Sequence, residues 1–303
     1  MNEFSTVLQQ VLIIFLIMAV GIFLSKKGML DKNGSKQITN IAINVVSPSL
    51  IFMSFQLEYD AQRLISLLFA LAMSATVFIV SILLSNLLIR KKEGCDSGVE
   101  RFAVVYSNCG YMGIPLISAI FGQEGVFYTS AVIAVFNALV WSHGVMTMQD
   151  KLSLRELLNV LKSPNIIAVV LGLLCYVFRI TIPYIPAQTM QYLADMNTPL
   201  AMLISGATVA SANIKQTFAS KRIWLLSFYK LLLIPLVAAL VLKLFNAPET
   251  VYRVVAITTA CPTAGATTLI ALKCGKNAEY GSQILAATTI LSIITLPIFT
   301  MLI

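Results

Sequence analysis

The sequence predicts an all-α integral membrane protein with ten transmembrane helices in two inverted five-helix repeats, helices four and nine being broken near mid-membrane. Three observations predict it. Apolar runs of membrane-crossing length fill almost the whole chain, basic residues collect in alternate loops, and glycine and proline positions recur at matching offsets in the two halves.

Apolar residues make up 58% of the 303 and charged residues 11%, with a mean hydropathy of +0.87. No soluble domain has that balance. A bilayer core of roughly 30 Å takes about 20 helical residues. Ten runs meet this length, at 7–25, 37–55, 64–89, 102–122, 127–148, 164–182, 193–212, 222–245, 252–273 and 280–302. The first is preceded by Glu3 and no basic residue, and Gly21 to Lys27 offers no small-residue cleavage pattern, so it reads as a retained span. The five cysteines, Cys95, Cys109, Cys175, Cys261 and Cys274, show no paired spacing and read as small hydrophobes, without a disulfide or metal role.

The net charge of +8 is explained by where it sits. Sixteen Lys and Arg residues, among them Lys26, Lys27, Arg90, Arg101, Lys162, Lys221, Arg222 and Lys273, fall on one set of alternate loops, against Arg63, Arg179, Lys243 and Arg253 on the other. The positive-inside rule then places the odd-numbered loops in the cytoplasm and both termini outside. The excess reports topology in a lipid bilayer, the cell (inner) membrane, and no nucleic-acid partner.

Gly21 and Gly172 stand 151 residues apart, as do Pro48 and Pro199, while Pro115 and Pro262 are 147 apart. A duplicated unit of five spans, an odd number, inverts its second copy. Residues 1–148 are read as the first repeat and 164–303 as the second. Between them, 149–163 carries Leu154, Leu157, Leu158 and Leu161 at helical spacing, which predicts an amphipathic helix on the cytoplasmic surface.

The fourth run contains "SNCGYMGIPL" (107–116) and the ninth "TTACPTAGATT" (258–268), each with a proline about half way across. A lone proline there reads as a kink. Two in matching places, amid Gly, Asn and Thr, read as the interrupted helices of a transporter site. Each proline is expected to begin a second half-helix, so that free N–H groups near Ile114, Thr263 and Ala264 converge on an anion. Gly110, Gly113, Ile114 and Pro115 form one wall of this expected site, and Pro262, Thr263 and Ala264 the other.

Lys230 lies eight residues past Arg222, about 12 Å along the helix, and is assigned either a substrate or coupling role or a contact with backbone carbonyls. Asp195, one turn before Pro199, is either a proton carrier or an interfacial carboxylate. The single histidine, His143, has no Cys, Asp or Glu at ligand spacing beside it, so no metal or cofactor is expected. No nucleophile, base and orienting group share a helix face, which excludes an enzyme of that kind. Asn40 and Asn44, one turn apart, are expected to hold scaffold helices together.

At "NCGYMGIPL" the sequence resembles the auxin efflux carrier family, which includes the plant PIN-formed auxin exporters and bacterial permeases for small organic acids. The similarity continues through "SPNIIAVVLGLL" (163–174), "LADMNTPLAMLISG" (193–206), "YKLLLIPLV" (229–237) and "RVVAITTACPTAG" (253–265). The resemblance implies a scaffold of spans one, two, six and seven, often dimeric, through which a homodimer is expected, and a moving body of the rest, in which spans four and nine cross at their prolines. It also implies that Asn108 and Asn137 contact substrate. Two departures, Ile51 where plant members have serine and the missing long cytoplasmic loop, speak against auxin itself.

The function expected is secondary active or facilitative transport of a small organic anion, a mono- or dicarboxylate with auxin-like weak acids included, by elevator-type alternating access. No P-loop occurs, so ATP is not implicated. The rivals are a sodium-coupled symporter of the bile-acid transporter type, which would need a carboxylate or several oxygens near the crossing, and a membrane receptor that binds without transporting.

Overall fold

The computed structural model describes residues 3–90, 96–149 and 162–303. Among the described residues all regular structure is helical, with one isolated two-residue bridge. In the first half, α1 (Glu3–Lys26) is followed by α2 (Lys32–Ile41), which continues through a π-helical turn (Ala42–Val46) into α3 (Ser47–Ser54). Next come α4 (Ala61–Leu88), α5 (Ser97–Val105), a π-helical turn (Cys109–Gly113) leading into α6 (Ile114–Leu139), and another (Val140–Gly144) leading into α7 (Val145–Gln149).

The second half holds α8 (Pro164–Val177), α9 (Tyr184–Asp195), α10 (Asn197–Ser211), α11 (Ile214–Ala219) and α12 (Lys221–Phe228). A π-helical turn (Tyr229–Leu233) joins α12 to α13 (Ile234–Leu244), and α14 (Glu249–Ala260), α15 (Ala266–Lys273) and α16 (Ala278–Leu302) follow. Five helical stretches are long and apolar enough to cross a membrane: Leu8–Lys26, Ala61–Leu88, Cys109–Gln149, Lys221–Leu244 and Ala278–Leu302; Pro164–Val177 is apolar but shorter. The third of these turns at Gly122, whose φ of 61° and ψ of −149° suit glycine alone. That turn separates predicted spans four and five. The amphipathic helix expected over 149–163 falls largely on 150–161, outside the described residues.

Three of the π-helical turns end two residues before a proline: Pro48, Pro115 and Pro235. A proline ring clashes with the carbonyl four residues back, and one wider turn makes room for it without ending the helix.

α1 lies along α10, and α3 packs on α8. Small residues permit the first contact. A Cβ on Gly206 would sit 2.1 Å from the Met18 carbonyl oxygen, and one on Gly21 would sit 2.5 Å from that of Leu203. Gly172 gives way in the same manner to the Phe55 ring. The outward faces of α1, α4 and α8 expose Leu16, Phe23, Leu83, Leu87, Leu171 and Leu174, as surfaces against lipid tails require. Asn40 and Asn44 are exposed, and the Asn44 amide donates along its own helix to the Asn40 carbonyl at 2.8 Å. The interhelical role expected of them is not what this bond does.

Candidate functional site: the crossing of two broken helices

α5 ends at Val105, where Tyr106 turns extended (φ −92°, ψ 110°), and α14 ends at Ala260, where Cys261 does the same (φ −58°, ψ 149°). The two interrupted backbones meet. Ser107 and Thr263 form an antiparallel bridge, in which Asn108 N donates to Pro262 O at 2.7 Å and Ala264 N to Tyr106 O at 2.9 Å.

A helix that stops leaves its last carbonyls without donors, and hydrocarbon supplies none. Here each chain serves the other. Ser107 Oγ donates to Thr259 O and Thr263 Oγ1 to Ala103 O, both at 2.9 Å. Each acceptor lies four residues before the opposite hydroxyl, so the four bonds are reciprocal at one offset of 156 residues.

That register corrects the expected pairing of prolines. Pro262 is matched by Tyr106, and Pro115 sits in the first turn of α6, past the break. The half-helix after Pro262 begins at Ala266. The three N–H groups expected to face an anion are engaged: Ile114 N with Cys109 O, Thr263 N with Thr288 Oγ1 at 3.2 Å, and Ala264 N with Tyr106 O. A positive field from those donors is therefore not what the crossing offers. Gly113 lets α14 approach, since its Cβ would lie 3.3 Å from Thr258 Cγ2, whereas Gly110 borders open space.

The basic group at the crossing is instead a side chain. Lys230, fully buried on the π-helical turn after α12, donates to Ser107 Oγ and, at 3.3 Å, to Thr259 O. Among the described residues no carboxylate lies within ion-pair distance of it. The turn thus delivers the Lys230 Nζ to Ser107 and Thr259, which already tie the broken helices together.

Asn108 accepts from Tyr111 N through Oδ1 at 3.3 Å, which fixes its amide orientation because a backbone N–H can only donate. Its Nδ2 has no protein partner among the described residues and is a donor in reserve. Asn137 is oriented the other way, Nδ2 donating to Ile133 O at 2.9 Å, so its spare atom is an acceptor.

Tyr106, wholly buried, packs its ring 4.4 Å from that of Phe102 and 5.9 Å from that of Phe136. Its hydroxyl donates to Leu139 O at 2.9 Å and lies 3.1 Å from His143 Nδ1. The other ring nitrogen of His143, Nε2, lies 3.3 Å from Thr147 Oγ1.

A small cavity against the crossing is lined by Ser107, Cys109, Thr258, Thr259, Phe78 and Val132. A larger one, about 180 Å³, opens between α3, α6 and the α9–α10 turn, bordered by Ser54, Ser118, Gln123, Gln191, Asp195 and Thr198. Asp195 is exposed there and accepts from Gln191 Nε2 at 2.8 Å.

Among the described residues the buried acidic side chain is Glu100, on α5. Arg222 grips it with two bonds, Nε to Oε1 at 2.9 Å and Nη2 to Oε2 at 2.6 Å, and the Tyr280 hydroxyl adds a third at 2.8 Å. Sequence reasoning missed Glu100, Ser107 and Thr259. An acidic residue inside "VERFAVV" was a signal for the first; the others needed a partner over a hundred residues away.

The sequence profile of the family described as Membrane transport protein matches residues 6–300. A curated protein named "Uncharacterized transporter" from Methanothermobacter thermautotrophicus is 24% identical over 304 aligned residues, covering 96% of this chain and 97% of that one. Another uncharacterized transporter, from Methanocaldococcus jannaschii, is 22% identical over 68% of this chain and 70% of its own length. Apolar helices of spanning length, two helices broken inside the protein and a profile match across nearly all of its length place this chain in the membrane transport protein family of auxin efflux carrier relatives, as a multi-pass membrane protein.

Proposed function

We propose that the protein is a secondary transporter of small organic anions and that the crossing binds the substrate carboxylate. The observation that carries this is Lys230, a buried ammonium at the crossing whose protein partners are a hydroxyl and a carbonyl. A charge in that position is costly unless it is compensated, and a carboxylate ligand compensates it. Asn108 Nδ2 supplies a second donor. Asn137 and the cavity beside Asp195 border the path.

In this reading ten spans form two inverted repeats, residues 1–148 and 164–303. Spans one, two, six and seven stay fixed as a scaffold that pairs with a second copy, and the remainder moves as an elevator. The reciprocal bonds at the crossing and the exchanged contacts of α1 with α10 and α3 with α8 support a two-fold relation between the halves. Both termini are expected outside the cell membrane. A reporter fused to either terminus that is active only in the cytoplasm would refute the orientation.

Counterflow tests transport itself. Proteoliposomes preloaded with lactate or succinate should transiently accumulate the labelled acid, and a protein that binds these acids but shows no counterflow is a receptor. Asn108→Ala should weaken lactate binding about tenfold, since a hydrogen bond to a charged group contributes about 1.5–3 kcal/mol. Asn108→Asp, which keeps the acceptor for Tyr111 N but sets a carboxylate against the ligand, should weaken it further. Calorimetric titration of the purified variants checks both, and unchanged affinity in Asn108→Ala places the carboxylate elsewhere.

A further inference from the structure

Two rungs join the first half of the broken helix to the helix that carries Lys230. One is the Lys230 bond to Ser107 at the crossing. The other is the two-pronged Arg222–Glu100 pair, eight residues earlier on the α12 side and seven earlier on α5. Along the helix that carries both basic residues, eight residues at 1.5 Å of rise put the rungs about 12 Å apart, so the lower one sets the register in which the upper one forms. Tyr280 anchors the same carboxylate to α16, and Arg101 ties α5 to the end of α4 through Ile89 O at 3.0 Å.

We propose that Glu100 and Arg222 are positioning residues for substrate binding: by locking the sliding and rotation of α12 against α5 they hold the Lys230 ammonium on the crossing. The inference rests on Lys230 being the counter-charge for a carboxylate. The planar guanidinium fork is what gives this register its definition. A bidentate pair fixes both translation and angle, which a lysine in place of Arg222 cannot do. Full burial of Glu100 removes the competing water that would let the pair reorient.

The test is the ratio of affinities for lactate and its uncharged methyl ester, which reports where the ammonium stands and not how stable the protein is. The double variant Glu100→Gln/Arg222→Met removes both charges together, so no lone buried charge is left to unfold the chain. It is expected to lose about tenfold in lactate affinity with little change for the ester, because a charge-assisted hydrogen bond weakens steeply once its donor leaves bonding geometry. Arg222→Lys should lower the ratio as well, and it decides the matter if the double variant fails to fold. Glu100→Asp, which keeps the charge, should recover part of the ratio. A wild-type ratio in folded Arg222→Lys and in the double variant would make the pair a packing element only and overturn the proposal. If Lys230→Met itself leaves the ratio unchanged, the counter-charge reading fails and this inference with it; if Lys230→Met collapses the ratio and the paired variants do not, only the positioning role is lost.

Discussion

Lys230→Met is expected to abolish carboxylate binding while leaving the protein folded. The side chain is fully buried, and its partners Ser107 Oγ and Thr259 O keep a bond to each other once it is gone. Methionine fills most of the volume, and removing a buried basic group that has no carboxylate beside it among the described residues relieves a desolvation cost. Folding should therefore suffer little. Binding should suffer a great deal, because deleting one member of a buried charge pair costs about 3–5 kcal/mol, or two to three and a half orders of magnitude in affinity at about 1.4 kcal/mol per tenfold. Titration with lactate and succinate, beside a melting curve for each variant, reads the two effects separately. Near wild-type affinity in the methionine variant would leave the lysine a structural contact to the crossing.

Gly206→Ala is expected to have the largest effect on stability. The new methyl would stand 2.1 Å from Met18 O, 2.9 Å from Ile22 N and 3.0 Å from Gly21 Cα. All three are backbone atoms, so no rotamer change on α1 makes space. The α1–α10 seam must open along much of its length, losing the close packing that holds helices together where lipid competes for the same apolar surface. Overpacking in a well-packed interior costs about 1–3 kcal/mol, and a clash between two backbones belongs at or above the upper end. A fall in melting temperature measured on detergent-solubilised protein, or loss of the monodisperse peak, checks this. Gly110→Ala is the matched control: its Cβ meets nothing within 4 Å, and it should melt like wild type.

Properties carried by short stretches of chain were legible without a structure. Membrane residence follows from hydropathy, which each run displays alone. The interruption of the ninth predicted span was readable because "ACPTAG" sets a proline among Cys, Thr and Gly, all of low helix propensity, and the chain does leave the helix at Cys261. Family membership was legible through the spacing of "NCGYMGIPL". Lys230 was marked by the rarity of a charge so far into an apolar run.

What only the tertiary structure decided depends on segments that are distant in sequence. Pro115 was taken for the break because proline is a local helix breaker, yet a widened turn accommodates it. The helix parts instead at Tyr106–Asn108, where no residue is an obligate breaker. That backbone can leave the helix because Pro262 O, Ala264 N and Thr263 Oγ1 arrive from the other half to replace the bonds it gives up. Of the N–H groups that sequence reasoning reserved for a ligand, this exchange takes Ala264 N, while Thr288 Oγ1 takes Thr263 N and the π-helical turn takes Ile114 N, so the reading proposed above turns to Lys230 for the positive charge. Neither this exchange nor the grip of Arg222 on Glu100, 122 residues away, leaves a trace in local propensity, since each hydrogen bond exists only after both helices have packed and water has been excluded from between them.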